Sequence, residues 1–248
     1  MPLFSRLKQT FFGLHKKEWE AAAAYDQWSA AYDSQPDNLM LALDEELVAD
    51  LLNGITLESK IVADIGCGTG RHWSKILSRH PEKILGFDVS AGMLARLKEK
   101  YPQAETFLLT DNQLSGLEDG CCDLLLSTLT IAHIQNPEEA LKEWYRVLKP
   151  GGSLIITDYH PAALIKGARR TFQYAQETIA IRNYVHSLEK LNEITRQLQF
   201  TPLRFMERNI DEGVKHYYIK QGAAALYEQF YGTPIIYGMH LTKTDAPA

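Results

Sequence analysis

Val62-Ala63-Asp64-Ile65-Gly66-Cys67-Gly68-Thr69-Gly70 is the stretch whose reading decides the fold. A short apolar run enters a turn with three alternating glycines, and a helical segment, Gly70–Arg79, follows. Glycine lets the backbone take positive φ and approach a ligand with no Cβ in the way. The helix that follows presents unpaired N–H groups at its start. Two ligand classes use such a turn. A dinucleotide site follows G-x-G-x-x-G and leaves room for a pyrophosphate, whereas here the glycines stand at 66, 68 and 70. Asp64, two residues before the first glycine, would repel a diphosphate and attract an ammonium group. The local charge pattern therefore favours a cationic ligand.

Outward from this turn, short apolar runs alternate with amphipathic stretches. Ile61–Ile65, Lys83–Phe87, Thr106–Leu109, Cys122–Ser127 and Ser153–Thr157 read as strands. Ser90 caps a helix running through Tyr101. Asn136 caps another, with Pro137 in its first position, Glu138 and Glu139 in its first turn and Glu139 at the capping-box place. Pro150-Gly151-Gly152 ends that helix. Such alternation indicates a parallel sheet with right-handed crossovers. Residues 1–60 read as helical, with Leu39, Leu43, Leu47 and Leu51 at four-residue spacing. Residues 161–183 read as a helical insertion and Ser187–Leu198 as an amphipathic helix. Leu203–Arg208 and Pro234–Thr242 read as strands around a helical stretch near Gln221–Phe230.

Bulk properties exclude several classes. The 248 residues are 45% hydrophobic and carry a net charge of −5, so no overall excess of Lys and Arg argues for a nucleic-acid partner. Cys67, Cys121 and Cys122 offer neither a disulfide framework nor zinc-ligand spacing; no metal site is expected, and a reducing, cytoplasmic location suits them. No uncharged apolar run approaches the roughly 18 residues of a transmembrane segment. The N-terminus, MPLFSRLKQTFFGLHKK, carries Arg6, Lys8, Lys16 and Lys17 before its first acid, Glu18. Phe4, Leu7, Phe11, Phe12 and Leu14 can share one helical face, which suits a helix packed on the domain or peripheral membrane contact.

From about Tyr25 to Thr157 the chain resembles the class I S-adenosylmethionine-dependent methyltransferases, of the small-molecule type similar to the quinone-methylating enzymes. Four elements in order carry the resemblance. Asp64-Ile65-Gly66-Cys67-Gly68-Thr69-Gly70 is similar to the first motif of that family, and Gly86-Phe87-Asp88 to its acidic ribose-binding motif. Thr110-Asp111-Asn112 falls where the family contacts adenine, and Leu148-Lys149-Pro150-Gly151-Gly152 resembles its turn before the fifth strand. The resemblance implies a Rossmann-like α/β fold: a seven-stranded sheet, mostly parallel with an antiparallel C-terminal strand, helices on both faces, a helical N-terminal cap and insertions. It implies one domain over 1–248, with 1–55 as the cap, 60–160 as the cofactor-binding core and 161–248 as acceptor-side insertions and final strands. S-adenosyl-L-methionine is then the expected cofactor, at Tyr32, Asp64, Gly66, Gly68, Thr69, Gly70, Asp88, Met93, Asp111, Asn112, Ser127 and Thr128.

Several of these residues have a plain packing role as the alternative. Met93 is as well suited to core as to adenine. Tyr25, Trp28 and Tyr32 share a helical face, so Tyr32 is either a lid over the cofactor or part of an aromatic stripe. Asp111-Asn112 is also ordinary turn chemistry. His133, Tyr159 and His160 follow the fourth and fifth strands and are the candidates for moving an acceptor proton; a capping or core His and a loop His are the alternatives. Aromatics in and beside 161–183 and 209–232, among them Phe172, Tyr174, Tyr217, Tyr218, Tyr227 and Phe230, suit either core or the lining of a partly apolar acceptor pocket. The expected reaction is in-line methyl transfer to a small-molecule acceptor. A nicotinamide-dependent oxidoreductase and a catalytically silent cofactor-binding protein are the competing readings.

Overall fold

The computed structural model describes residues 17–244. In chain order these form β1 (Glu18–Trp19), α1 (Ala21–Trp28), α2 (Leu39–Leu51), β2 (Ile61–Ile65), α3 (Trp73–Leu77), β3 (Lys83–Asp88), α4 (Ala91–Lys100), β4 (Glu105–Leu108), β5 (Cys122–Thr128), α5 (Pro137–Val147) and β6 (Leu148–Tyr159). They continue with α6 (Pro161–Ile165), β7 (Thr171–Tyr174), β8 (Glu177–Ile181), α7 (Leu188–Gln197), β9 (Phe200–Asn209), α8 (Lys215–Lys220), α9 (Ala224–Phe230) and β10 (Pro234–Lys243).

Seven strands form the main sheet in the order β4-β3-β2-β5-β6-β10-β9. β2 to β6 pair in parallel, and β10 runs antiparallel to both β6 and β9. The expected sheet, with its antiparallel C-terminal strand, is present. Successive side chains of a strand point to opposite faces, and both faces are covered. Leu125, Leu154 and Ile156 meet Leu141, Trp144 and Val147 of α5 and Leu191 and Ile194 of α7. Leu124, Leu126 and Ile155 meet Val48 and Leu51 of α2, Ile76 of α3 and Leu97 of α4. A strand buried on both sides needs the continuous apolar run that β5 has.

Local signals are only partly obeyed. The Ser90 hydroxyl accepts from the Met93 N–H at 3.1 Å, capping α4. α5 has Pro137 at its start and Glu138 and Glu139 in its first turn, but the Asn136 side chain makes no capping bond. Glu139 is engaged instead by the Asn112 amide at 3.4 Å, so the capping box does not form.

The segments flanking the core correct the expectation of all-helical additions. Only Pro161–Ile165 of the 161–183 insertion is helical; β7 and β8 make a hairpin, and β1 pairs in parallel with β8 to give a three-stranded sheet. The hairpin turns at Ala175 and Gln176, φ +46° and +65°. Positive φ at both positions matches the twist of the strands, but an Ala-Gln pair carries none of the usual signal for it. Phe172, Ile179 and Ile181 of this sheet pack on Ala24 and Trp28 of α1 and on Tyr32, with Trp28 and Phe172 stacked at 5.3 Å. The reading of the basic segment up to Lys16 as a packed or membrane-contacting helix lies outside the described residues. Among those described, no helix is long and apolar enough to cross a membrane.

Asp44 ties α2 to the sheet. At 0% exposure its carboxylate accepts from the Arg71 guanidinium, the Thr157 hydroxyl and, at 2.9 Å, His72 Nε2. Burial works to raise its pKa, but the Arg71 charge and the bonds from His72 and Thr157 prevail and hold the carboxyl well below the usual range. Asp44→Ala leaves Arg71 without its counter-charge, and should lower unfolding free energy by about 3–5 kcal/mol. Urea denaturation measures it; a loss near zero would show the node to be dispensable.

Candidate functional site

The carboxyl ends of β2, β3 and β5 open onto a cleft of about 1020 Å³, the edge at which such sheets bind ligands. The glycine turn is its floor. The N–H groups of Gly66 and Cys67 both donate to the Phe87 carbonyl, at 2.7 and 3.0 Å, and the Gly68 N–H donates to Asp88 Oδ2 at 2.8 Å. Gly66 has φ +71°, and a Cβ there would lie 2.1 Å from Thr130 Oγ1. Gly68 has φ +53° with open space where its Cβ would be, which leaves backbone directly accessible to a ligand.

Tyr32, Asp64, Gly66, Gly68, Thr69, Asp88, Met93, Asp111, Asn112, Thr128 and His133 line the cleft together. Four other residues singled out from the sequence do not. Gly70 sits behind the turn, its Cβ position 3.2 Å from Leu97. Ser127 precedes Thr128 on β5, so it points to the opposite face, fully buried with its hydroxyl unpaired. Tyr159 lies in the apolar core with Leu129 and Ile236, where burial pushes its phenol up to about 12. His160 caps α6: its Nδ1 accepts from the Ala162 N–H at 3.1 Å, and its Nε2 sits 2.7 Å from Glu207. With both ring nitrogens engaged, His160 has none to offer the cleft. The expectation that Tyr159 and His160 stand at the site is corrected by this packing.

Two buried carboxyls set the electrostatics of the turn. Asp64 accepts from Trp73 Nε1 at 2.8 Å; burial, opposed by that bond and reinforced by Asp88, pushes it up to about 7. Burial pushes Asp88 up to about 6, against the pull of the Ser90 and Gly68 N–H groups. Arg71 also lines the cleft, but Asp44 neutralises it in contact.

On the opposite wall, His133 Nδ1 lies 2.8 Å from the Arg182 carbonyl and Nε2 lies 3.0 Å from the Tyr25 hydroxyl. A carbonyl only accepts, so the proton sits on Nδ1 and Nε2 receives the Tyr25 proton. Burial brings His133 down to about 4, and the ring is neutral. Sequence reasoning treated Tyr25 as packing alone and missed Arg71, His72 and Trp144, which also line the cleft. It also missed Arg170, whose guanidinium donates to the Tyr32 hydroxyl at 2.8 Å. An arginine beside another arginine gives no sign of being buried.

Residues 63–156 match a family model described as a methyltransferase domain. A malonyl-[acyl-carrier protein] O-methyltransferase of Marinomonas sp. is 31% identical over 141 residues, covering 56% of this chain and 51% of that protein. A ubiquinone/menaquinone biosynthesis C-methyltransferase of Campylobacter jejuni is 36% identical over 104 residues, covering 40% and 44%. The chain thus spans about half the length of these curated relatives. In structure it is similar to an S-adenosylmethionine-dependent methyltransferase from Mesorhizobium loti, with TM-score 0.60 and 15% identity, covering 80% of this chain and 96% of that one.

Asp64 and Asp88 hold their protons more firmly in the folded protein than in the unfolded chain. Their contribution to stability is therefore complete below the ordinary value of 3.8 and is lost as pH rises through about 6 and about 7. Asp64→Asn, which keeps an acceptor for Trp73, should lose less Tm than the parent between about pH 5 and pH 8 when both are ligand-free. Parallel slopes in thermal melts would contradict the burial assignment.

Proposed function

We propose that the chain, whose residues 63–156 match a methyltransferase domain model, binds S-adenosylmethionine in its cleft and transfers the methyl group to a small, partly apolar acceptor. The observation that carries this reading is the placement of Asp64 and Asp88 on the same cleft as the open backbone at Gly68. Two buried carboxyls repel a pyrophosphate and attract a sulfonium and an ammonium. This disfavours a nicotinamide dinucleotide.

When bound, S-adenosylmethionine supplies a methyl group already activated on a sulfonium. The chain's part is to hold and orient. A carboxylate has about four lone-pair sites; Asp88 uses two for the Gly68 and Ser90 N–H groups, leaving two for ribose hydroxyls. Asp64 faces the cationic part. Met93, Leu109, Leu114 and Trp144 give an apolar wall for adenine, with Asp111 and Asn112 at its polar edge. Thr128, Tyr32 and His133 are assigned to the methyl and acceptor side. Orientation of this kind is worth about 7–11 kcal/mol of a barrier, and the α1 segment, whose Ala21 and Tyr25 line the cleft, excludes water. An O-methyltransferase and a C-methyltransferase are both among the relatives, so similarity alone does not choose the methylated atom.

Calorimetry should show binding of S-adenosylmethionine in preference to NAD. Asp88→Asn should weaken binding about tenfold or more, as loss of a charge-assisted bond does; wild-type affinity in this variant would defeat the ribose assignment. The affinity for S-adenosylmethionine should also rise with pH as Asp64 and Asp88 ionise. His133→Ala, which frees the Tyr25 hydroxyl, should lower turnover more than cofactor affinity, and unaltered turnover would remove it from the acceptor wall.

A further inference from the structure

Two guanidinium groups stand at or behind the cleft, and among the described residues Arg71 alone of the two has a carboxylate in contact. Arg71 is paired with Asp44. Arg170 is 4% exposed, with its guanidinium carbon 5.7, 5.5 and 5.7 Å from the ring centroids of Tyr25, Trp28 and Tyr32. It donates to the Tyr32 hydroxyl at 2.8 Å, and its Nε is buried with no partner. Asp158 acts on it through space, and the Asp158 oxygens accept from the N–H groups of Ala132 and Tyr159, each at 2.7 Å. Among the described residues no ion pair joins Arg170 to a carboxylate. A buried cation is costly without an anion, and aromatic faces compensate only in part.

The Tyr32 hydroxyl passes this charge to the cleft. Its oxygen accepts from Arg170, so its own proton remains to donate, and Tyr32 lines the cleft. The cleft lining therefore combines two acids, Asp64 and Asp88, with Tyr32, which is backed by Arg170.

We propose, on the methyl-transfer reading above, that the acceptor is a carboxylic acid with an apolar body, and that its carboxylate is held by the Tyr32 hydroxyl, backed by Arg170, and receives the methyl group. The carboxylate oxygen forms the new O–CH₃ bond while the methyl–sulfur bond breaks, its electron pair going to sulfur. The products are a methyl ester and a neutral thioether, and no proton is released. Such an acceptor needs no base, and none of the three candidate bases is free: Tyr159 is in the core, His160 is held by Ala162 and Glu207, and His133 Nε2 is occupied by Tyr25. Leu129 and Ile134 beside His133 provide the apolar contact.

The test incubates the full chain with methyl-labelled S-adenosylmethionine and either cell extract or a panel of straight-chain and aryl carboxylic acids with matched amines and phenols. Label should enter a product that releases volatile methanol under mild alkali. Its appearance in the small-molecule or the protein fraction of the extract distinguishes a free acid from one carried on a protein. Alkali-stable label overturns the carboxylate and leaves methyl transfer standing. Cofactor binding with no transfer to any acceptor also overturns the carboxylate, and absence of cofactor binding overturns both readings. Tyr32→Phe, which keeps the ring packing, should raise KM for the best acid about tenfold or more with a smaller change in kcat. It should weaken binding of that acid to the S-adenosylhomocysteine-loaded protein by the same factor in calorimetry. An unchanged KM and affinity would overturn the role of the Arg170–Tyr32 pair.

Discussion

Three consecutive backbone N–H groups, those of Gly66, Cys67 and Gly68, are held by the end of β3: two by the Phe87 carbonyl and one by the Asp88 carboxylate. This pins the turn against the neighbouring strand and leaves the cleft above it. The requirement explains the residue types. Gly66 must be glycine because Thr130 leaves no space for a Cβ. Asp88 supplies the oxygen that accepts from the Gly68 N–H and so fixes the turn. The same carboxylate stands at the rim of the cleft, so the group that shapes the turn is also the one proposed to hold a ribose.

The N-terminal helices are fastened to this turn by acids. Asp26 accepts from the Ser90 hydroxyl at 2.6 Å and the Gly92 N–H at 2.9 Å, so it holds α1 at the start of α4. Asp33 accepts from the Thr69 hydroxyl at 2.6 Å and pairs with Lys100. Asp44 gathers Arg71, His72 and Thr157. The first two bonds involve side chains that are partly exposed, whereas Asp44 is buried beyond the screening of salt. The cap therefore has one buried anchor in α2 and more exposed ones nearer the cleft mouth.

The core was legible in the sequence because its signals are local. The apolar run of β5, the Ser90 cap and the spacing of Gly66, Gly68 and Gly70 each report on a few neighbouring residues, and the strands from β2 to β6 follow from them. Eleven of the fifteen residues singled out line one cleft, since strand ends of a parallel sheet converge on one edge whatever the loops do. The remainder depends on contacts distant in sequence. Whether His160 faces the cleft is decided by Glu207 on β9, and nothing near residue 160 reveals that. The β7–β8 hairpin hides behind an Ala-Gln turn. Asp44 left one trace, an acid at the four-residue spacing of Met40 and Val48 on the buried stripe of α2; such a charge must have a partner, but the sequence does not say which.

The matched domain, residues 63–156, contains the turn, Asp88 and the wall proposed for adenine. Several groups proposed for the acceptor side come from elsewhere. Tyr25 and Tyr32 come from the segment before it, Arg170 from the loop that leads into β7, and the carbonyl that fixes the His133 tautomer belongs to Arg182, just after β8. Thr128, Leu129, His133 and Ile134 lie within the matched stretch. A sheet common to many proteins can thus keep one half of the cleft constant while the flanking segments determine the charge of the other half. In this chain those segments bring a buried guanidinium and two tyrosine hydroxyls to the cleft. On the proposed carboxylate reading, that combination would favour acceptors that already carry their negative charge.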